Sequence, residues 1–118
     1  MREVFQNLSY RIGASSMVFG HDLVENANLL ARFVDHIEIV LFHTPALHNI
    51  PGREAILRLK EIGRRKAVTY SVHLPASLEI GARSEYRRKK DIGLISEICF
   101  RMAELNPVHY ILHIPFSP

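Results

Sequence analysis

The chain reads as an α/β fold built on a parallel sheet, because four strand-like segments alternate with three helix-like ones. The helical segments place apolar residues three to four positions apart, and the strand segments are short and rich in apolar and β-branched residues. A helix between two strands is a βαβ crossover, which joins parallel neighbours. With 118 residues, 47% hydrophobic and 23% charged, the chain holds a single domain over 1–118 with one core. A closed barrel of eight such units needs about 200 residues or more. Four βα units therefore read as half of a (β/α)8 barrel.

Residues 1–9 form an irregular lead-in. A first strand is expected over about 10–16, ending in small residues. Gly20, His21 and Asp22 break the chain, and Asp22 caps a helix over about 23–33 with Leu23, Ala27, Leu30 and Ala31 at helical spacing. The run from His36 to Phe42 is a second strand, apolar enough to be buried on both faces. Thr44 to Pro51 is a loop rich in Pro, His and Asn. A second helix follows over 53–66, with Ile56, Leu59 and Ile62 inward and Leu57 widening the stripe. The third strand spans about 67–74 and Pro75 closes it. After a loop to Ala82, Ser84 caps the longest helix, about 85–105, whose inner face is Ile92, Ile95, Cys99 and Met102. Asn106-Pro107 stops it, and a fourth strand runs over about 108–114.

Composition narrows the function classes. The formal charge is +3, gathered in Arg64-Arg65-Lys66 and Arg87-Arg88-Lys89-Lys90. Such runs are ordinarily solvated helix faces; the sharper reading is a patch for a phosphate-bearing partner. No aromatic residues interleave with them as a stacking platform, which disfavours nucleic acid. The single cysteine, Cys99, permits neither an internal disulfide nor a cysteine-based zinc site and is read as a core residue. No secretory segment and no apolar run of about 20 residues is present, so the expected location is the cytoplasm, away from membranes.

Two segments resemble each other: Tyr70-Ser71-Val72-His73-Leu74-Pro75 and Tyr110-Ile111-Leu112-His113-Ile114-Pro115. Each is a strand led by tyrosine with a histidine near its C-terminal end. In parallel β/α sheets ligands bind beyond the C-terminal ends of the strands. His73 and His113 are thus expected on adjacent strands, at one level, on the functional rim. Imidazole is the commonest metal ligand, and two side by side make half a metal site. Either histidine alone reads as a strand end finished by a hydrogen bond; the repetition favours the pair as ligands of a divalent ion, zinc or a manganese-like metal. Glu38 sits inside an apolar strand, where a carboxylate is costly unless paired or metal-bound. It points into a barrel interior, as a further ligand, or pairs with a basic residue. His43 is a weaker candidate. His21, His36 and His48 read as surface or capping residues, and His109 lies at the wrong end of its strand.

The segments Tyr10 to Ser16, Val34 to Phe42, Thr69 to Pro75 and Tyr110 to His113 resemble the first four strands of xylose isomerase-like barrels. That superfamily includes endonuclease IV and sugar phosphate isomerases/epimerases. Asp35, Glu38, Leu41-Phe42, the Thr69–Pro75 strand and the Leu78-Glu79-Ile80-Gly81 loop resemble the cobamide-remodelling phosphodiesterase family in order and spacing. The resemblance implies a metal-dependent enzyme with His73 and His113 as metal ligands. Its implied reaction is hydrolysis of the phosphoester in the nucleotide loop of a cobamide. Independently of the resemblance, the basic loop after the third strand, with Arg83, Arg87 and Arg88, is expected to help hold phosphate. The second half of the barrel, with its own ligands, is absent, as in a truncated product. Two other expectations stand beside this one: a sugar phosphate isomerase/epimerase, and a non-catalytic half barrel that self-associates or pairs with a second half barrel.

Overall fold

A computed structural model of the chain describes residues 8–20 and 22–114. His21, Pro115 and nearly all of the expected lead-in lie outside them. The strands are β1 (Gly13–Ser15), β2 (His36–Val40), β3 (Thr69–His73) and β4 (Tyr110–Ile111). The helices are α1 (Leu23–Leu30), α2 (Arg53–Lys66) and α3 (Glu85–Met102), the last followed by a 3₁₀ turn over Ala103–Leu105. The sheet runs in the order β1-β2-β3-β4, and every pairing is parallel. No helix among the described residues is long and apolar enough to cross a membrane.

Sequential strand order, with the buried residues of all three helices in one cluster, is the arrangement of a half barrel. Ile37, Ile39 and Leu41 from the β2 segment and Tyr70, Val72 and Leu74 from the β3 segment point into that cluster. They meet Ala27 and Leu30 of α1, Ile56 and Leu59 of α2, and Ile98 and Met102 of α3. The second strand is therefore not buried on both faces, as its composition predicts. His36, Glu38 and Val40 alternate with the core residues and are only half-buried, on the face opposite the helix cluster of the described residues.

The outer strands are shorter than the sequence predicts. Among the described residues each has a partner on one side only, and each pairs with just part of that partner: β1 with His36 to Glu38 of β2, and β4 with Val72 and His73 of β3. At β1 the side chain of buried Ser16 takes over the next backbone donor, Val40 N–H, at 3.0 Å. The first helix stops at Leu30 rather than Phe33, because Arg32 and Phe33 N–H turn back three residues to Leu29 and Leu30 carbonyls. Caps fall where expected: Asp22 accepts from Glu25 N–H and Ser84 from Arg87 N–H.

Two helix faces differ from expectation. Leu57 is exposed, leaving Ile56 and Leu59 as the fully buried positions of α2. On α3, Ile92 is 51% exposed, Cys99 is half-buried, and Asp91 and Ile98 are buried instead. At these two places the buried position falls one residue earlier than expected, while Met102 is fully buried and Ile95 packs against the core as the sequence predicts. Asp91 accepts Glu79 N–H at 2.7 Å and Arg87 Nε–H at 3.1 Å, fastening the loop after β3 to α3.

Candidate histidine site at the strand ends

The repeated Tyr-x-x-His pattern has a structural explanation. Side chains alternate along a strand, so positions three apart face opposite sides. Tyr70 faces the helices and its hydroxyl donates to Leu59 O of α2 at 2.7 Å; burial pushes that hydroxyl's pKa well up. Tyr110 does the same toward Cys99 O of α3, at 3.3 Å. Each tyrosine ties its strand to the preceding helix, and each histidine three residues on faces the opposite side.

His73 and His113 meet on that open face. Their Nε2 atoms are 2.9 Å apart and their ring centroids 4.8 Å. They are not at one level, as the sequence predicts. His73 pairs in register with Ile111, so His113 stands two residues further along. The two rings close this stagger by leaning toward each other. His73 Nδ1 lies 2.9 Å from Leu74 O, and a carbonyl only accepts, so Nδ1 carries the proton. Nε2 of His73 is then a bare lone pair, and His113 donates its Nε2–H to it.

This donor set fits part of a metal site. A carbonyl-anchored imidazole with a free opposite nitrogen is the usual state of a metal-ligating histidine. Nitrogens 2.9 Å apart can both reach one ion at about 2.0–2.1 Å. His113 would first move its proton to Nδ1. Among the described residues no third His, Cys, Asp or Glu joins the pair. Glu38 shares the open face, but it pairs in register with Ser71, one strand over and two residues below His73. No ion pair among the described residues involves it.

Two of the three arginines expected to hold phosphate are engaged with the protein. Arg87 bonds Asp91 and lies 3.8 Å from Glu79. Arg88 donates to the carbonyls of Ala82 and Arg83 at 2.6 and 2.7 Å, closing the loop. Arg83 itself is exposed.

Two histidine arrangements escaped the sequence reading. His36 is half-buried rather than a surface or capping residue. Its Nδ1 lies 2.8 Å from Thr69 Oγ1 and its Nε2 2.9 Å from Ser71 Oγ. Arg11 donates to the same Thr69 hydroxyl and to Asp35 O, both at 2.9 Å. Burial first, then the charges of Arg11 and His109, lowers the His36 pKa, with Glu38 opposing. His43 and His48 face each other across the loop after β2. Only tertiary pairing brings these groups together, and no local motif marks them.

A cleft of about 720 Å³ lies between the N-terminal turns of α1 and α2 and is lined by Asp22, His48, Arg53, Glu54 and Arg58 among others. It does not include His73 or His113. No family model and no curated protein matches the chain.

Proposed function

We propose that His73 and His113 supply two ligands of a divalent-metal site in a phosphoester hydrolase of the half-barrel type. The single observation behind this reading is the 2.9 Å approach of the two Nε2 atoms, with His73 oriented by its own bond to Leu74 O. A bound divalent ion supplies Lewis acidity toward a phosphoryl oxygen and activates water. The remaining ligands come from outside the described residues or from solvent. The substrate class proposed is a small phosphodiester, with the nucleotide loop of cobamides as its specific form and a cytoplasmic setting. The substrate rests on the resemblance of the strand segments alone, and the cytoplasmic setting on the sequence's lack of a secretory or membrane-length apolar segment.

The test is metal retention after dialysis, native chain beside His73→Ala/His113→Ala, followed by hydrolysis of a chromogenic phosphodiester. Metal held by the native chain, with retention and hydrolysis both reduced at least about tenfold in the variant, supports the reading. Equal retention by both forms would falsify the ligand assignment.

A second reading is favoured by a separate observation. Among the described residues β1 and β4 each have one unpaired edge, and an unpaired edge is a template for another chain. On this reading the chain is a binding partner for a second half barrel, whether another copy or a different protein.

A further inference from the structure

The loop after β2 folds back as a short hairpin. Thr44 N–H donates to Leu47 O at 2.9 Å, and Asn49 N–H donates to Phe42 O at 3.3 Å. These bonds straddle the facing residues His43 and His48, which makes them a non-hydrogen-bonded antiparallel pair. In such pairs the Cα atoms approach most closely, about 4.5 Å, and both side chains project to one side. The rings accordingly meet, with centroids 5.0 Å apart, planes at 62°, and the two Nδ1 atoms at 3.1 Å.

The backbone around the pair is held from three directions. The Thr44 hydroxyl donates to Leu47 O and accepts Leu47 N–H, fixing the turn. The Asn49 side chain accepts Phe42 N–H at 2.6 Å and donates to Val40 O at 2.8 Å, anchoring the hairpin to the end of β2. Ser77, from the loop after β3, donates to His43 O at 3.0 Å. The backbone that carries the two exposed rings is thus fixed before any ligand arrives, which reduces the ordering cost of binding. Nδ1 atoms this close leave no room for a proton on each. One is a bare lone pair, and the other becomes one by a tautomer shift on an exposed ring.

We propose that His43 and His48 form a second cation site, distinct from His73 and His113, that takes one borderline transition-metal ion through the two Nδ1 atoms. Two nitrogen donors select imidazole-preferring ions such as Ni²⁺, Cu²⁺ or Zn²⁺ over Mg²⁺ or Ca²⁺, which require oxygen ligands. No third His, Cys, Asp or Glu among the described residues joins this pair, so the site is an open chelate with positions left for a co-ligand. His48 also lines the cleft beside Arg53 and Arg58. An ion on the pair therefore sits at the edge of a cavity sized for a small molecule and carrying two guanidinium groups.

The experiment is calorimetric titration with Ni²⁺ of four forms of the metal-free chain: native, His73→Ala/His113→Ala, His43→Ala/His48→Ala, and the fourfold variant. The expected result is that His73→Ala/His113→Ala still binds one equivalent, which the fourfold variant loses or holds at least about tenfold more weakly. If His43→Ala/His48→Ala binds as the native chain does, the proposal is overturned. If only that variant differs from native, this site stands and the reading of His73 and His113 fails, so the two failures are separable. Should the alanines disturb the hairpin, imidazole NMR of the native chain with substoichiometric Cu²⁺ replaces them. His43 and His48 signals broadening first supports the site; their persistence while others broaden overturns it.

Discussion

His36 shows how a neutral imidazole can be built into a sheet. With Thr69 and Ser71 hydroxyls at both ring nitrogens and the Arg11 guanidinium joined to the same Thr69, a proton added to the ring meets a nearby positive charge and loses an acceptor geometry. Its folded pKa is lowered from 6.5, with burial the largest cause. The unfolded chain then binds protons more readily than the folded one. The stabilisation is fully present above the unfolded value, about 6.5, and is lost as pH falls through the depressed folded value. Urea midpoints of metal-free chain at pH 7.5 and 5.5 check this. The native midpoint is expected to fall more between the two than that of His36→Asn, which cannot titrate there. Equal falls would show that the ring's environment carries no such linkage. The same tautomer logic makes His73 the better-defined partner of the rim pair, since Leu74 O decides where its proton sits.

The joint between α2 and β3 concentrates the strain of the fold. Ala67 ends α2 in the left-handed region, φ 53°, and its N–H donates to Gly63 O. That conformation costs a non-glycine residue about 1–2 kcal/mol. Replacing Ala67 with Gly is expected to raise stability by about 0.5–1 kcal/mol, after the greater unfolded-state entropy of glycine is set against the relief. Gly63, in the last part of the same helix, needs its missing Cβ. A Cβ there would lie 3.0 Å from the Tyr70 ring and 3.1 Å from Val68 O. Gly63→Ala should therefore destabilise by about 1–3 kcal/mol despite the better helix propensity of alanine. Denaturant unfolding of both variants decides, and a Gly63→Ala chain as stable as the native would show that Tyr70 yields freely. This joint also marks what the sequence could and could not disclose. Helix starts were readable because Asp22 and Ser84 are local signals, and α2 was readable to the residue at both ends. The alternation of Ile37, Ile39 and Leu41 with His36, Glu38 and Val40 was visible, but apolar content concealed that only one face has a helix to bury against. Asp91 was unreadable as a core position, since its burial depends on a backbone amide twelve residues away. His73 and His113 could be assigned to the rim from a repeat. Their stagger, and the meeting of His43 with His48, depend on register and loop closure, which no spacing encodes.

The half barrel as a whole leaves one flank unfinished. Tyr110 pairs in register with core residue Val72, and by alternation Val108, Leu112 and Ile114, in the residues flanking β4, fall on its helix-side face. Val108 is 62% exposed, Leu112 41% and Ile114 69%, and Phe100 on the adjoining α3 is 88% exposed. An apolar strip beside an open strand edge favours association. The opposite flank presents β1, also paired on one side only among the described residues. Two copies related by a two-fold axis along the sheet's curvature would set β4 of each beside β1 of the other, in parallel, completing eight strands with two rim histidine pairs. Sedimentation velocity across a hundredfold range of concentration is expected to show a monomer giving way to a dimer. Leu112→Lys/Ile114→Lys should shift that transition at least about tenfold higher in concentration, because a charge on the strip must be desolvated for the flanks to meet. Neither residue belongs to a histidine pair, so metal binding by His43 and His48 in that variant should match the native chain. A monomer at every concentration in both forms would mean that the strip is solvated as it stands or covered by a different chain. If dimerisation and metal retention at His73 and His113 are lost together in the lysine variant, the missing rim ligands come from across that flank.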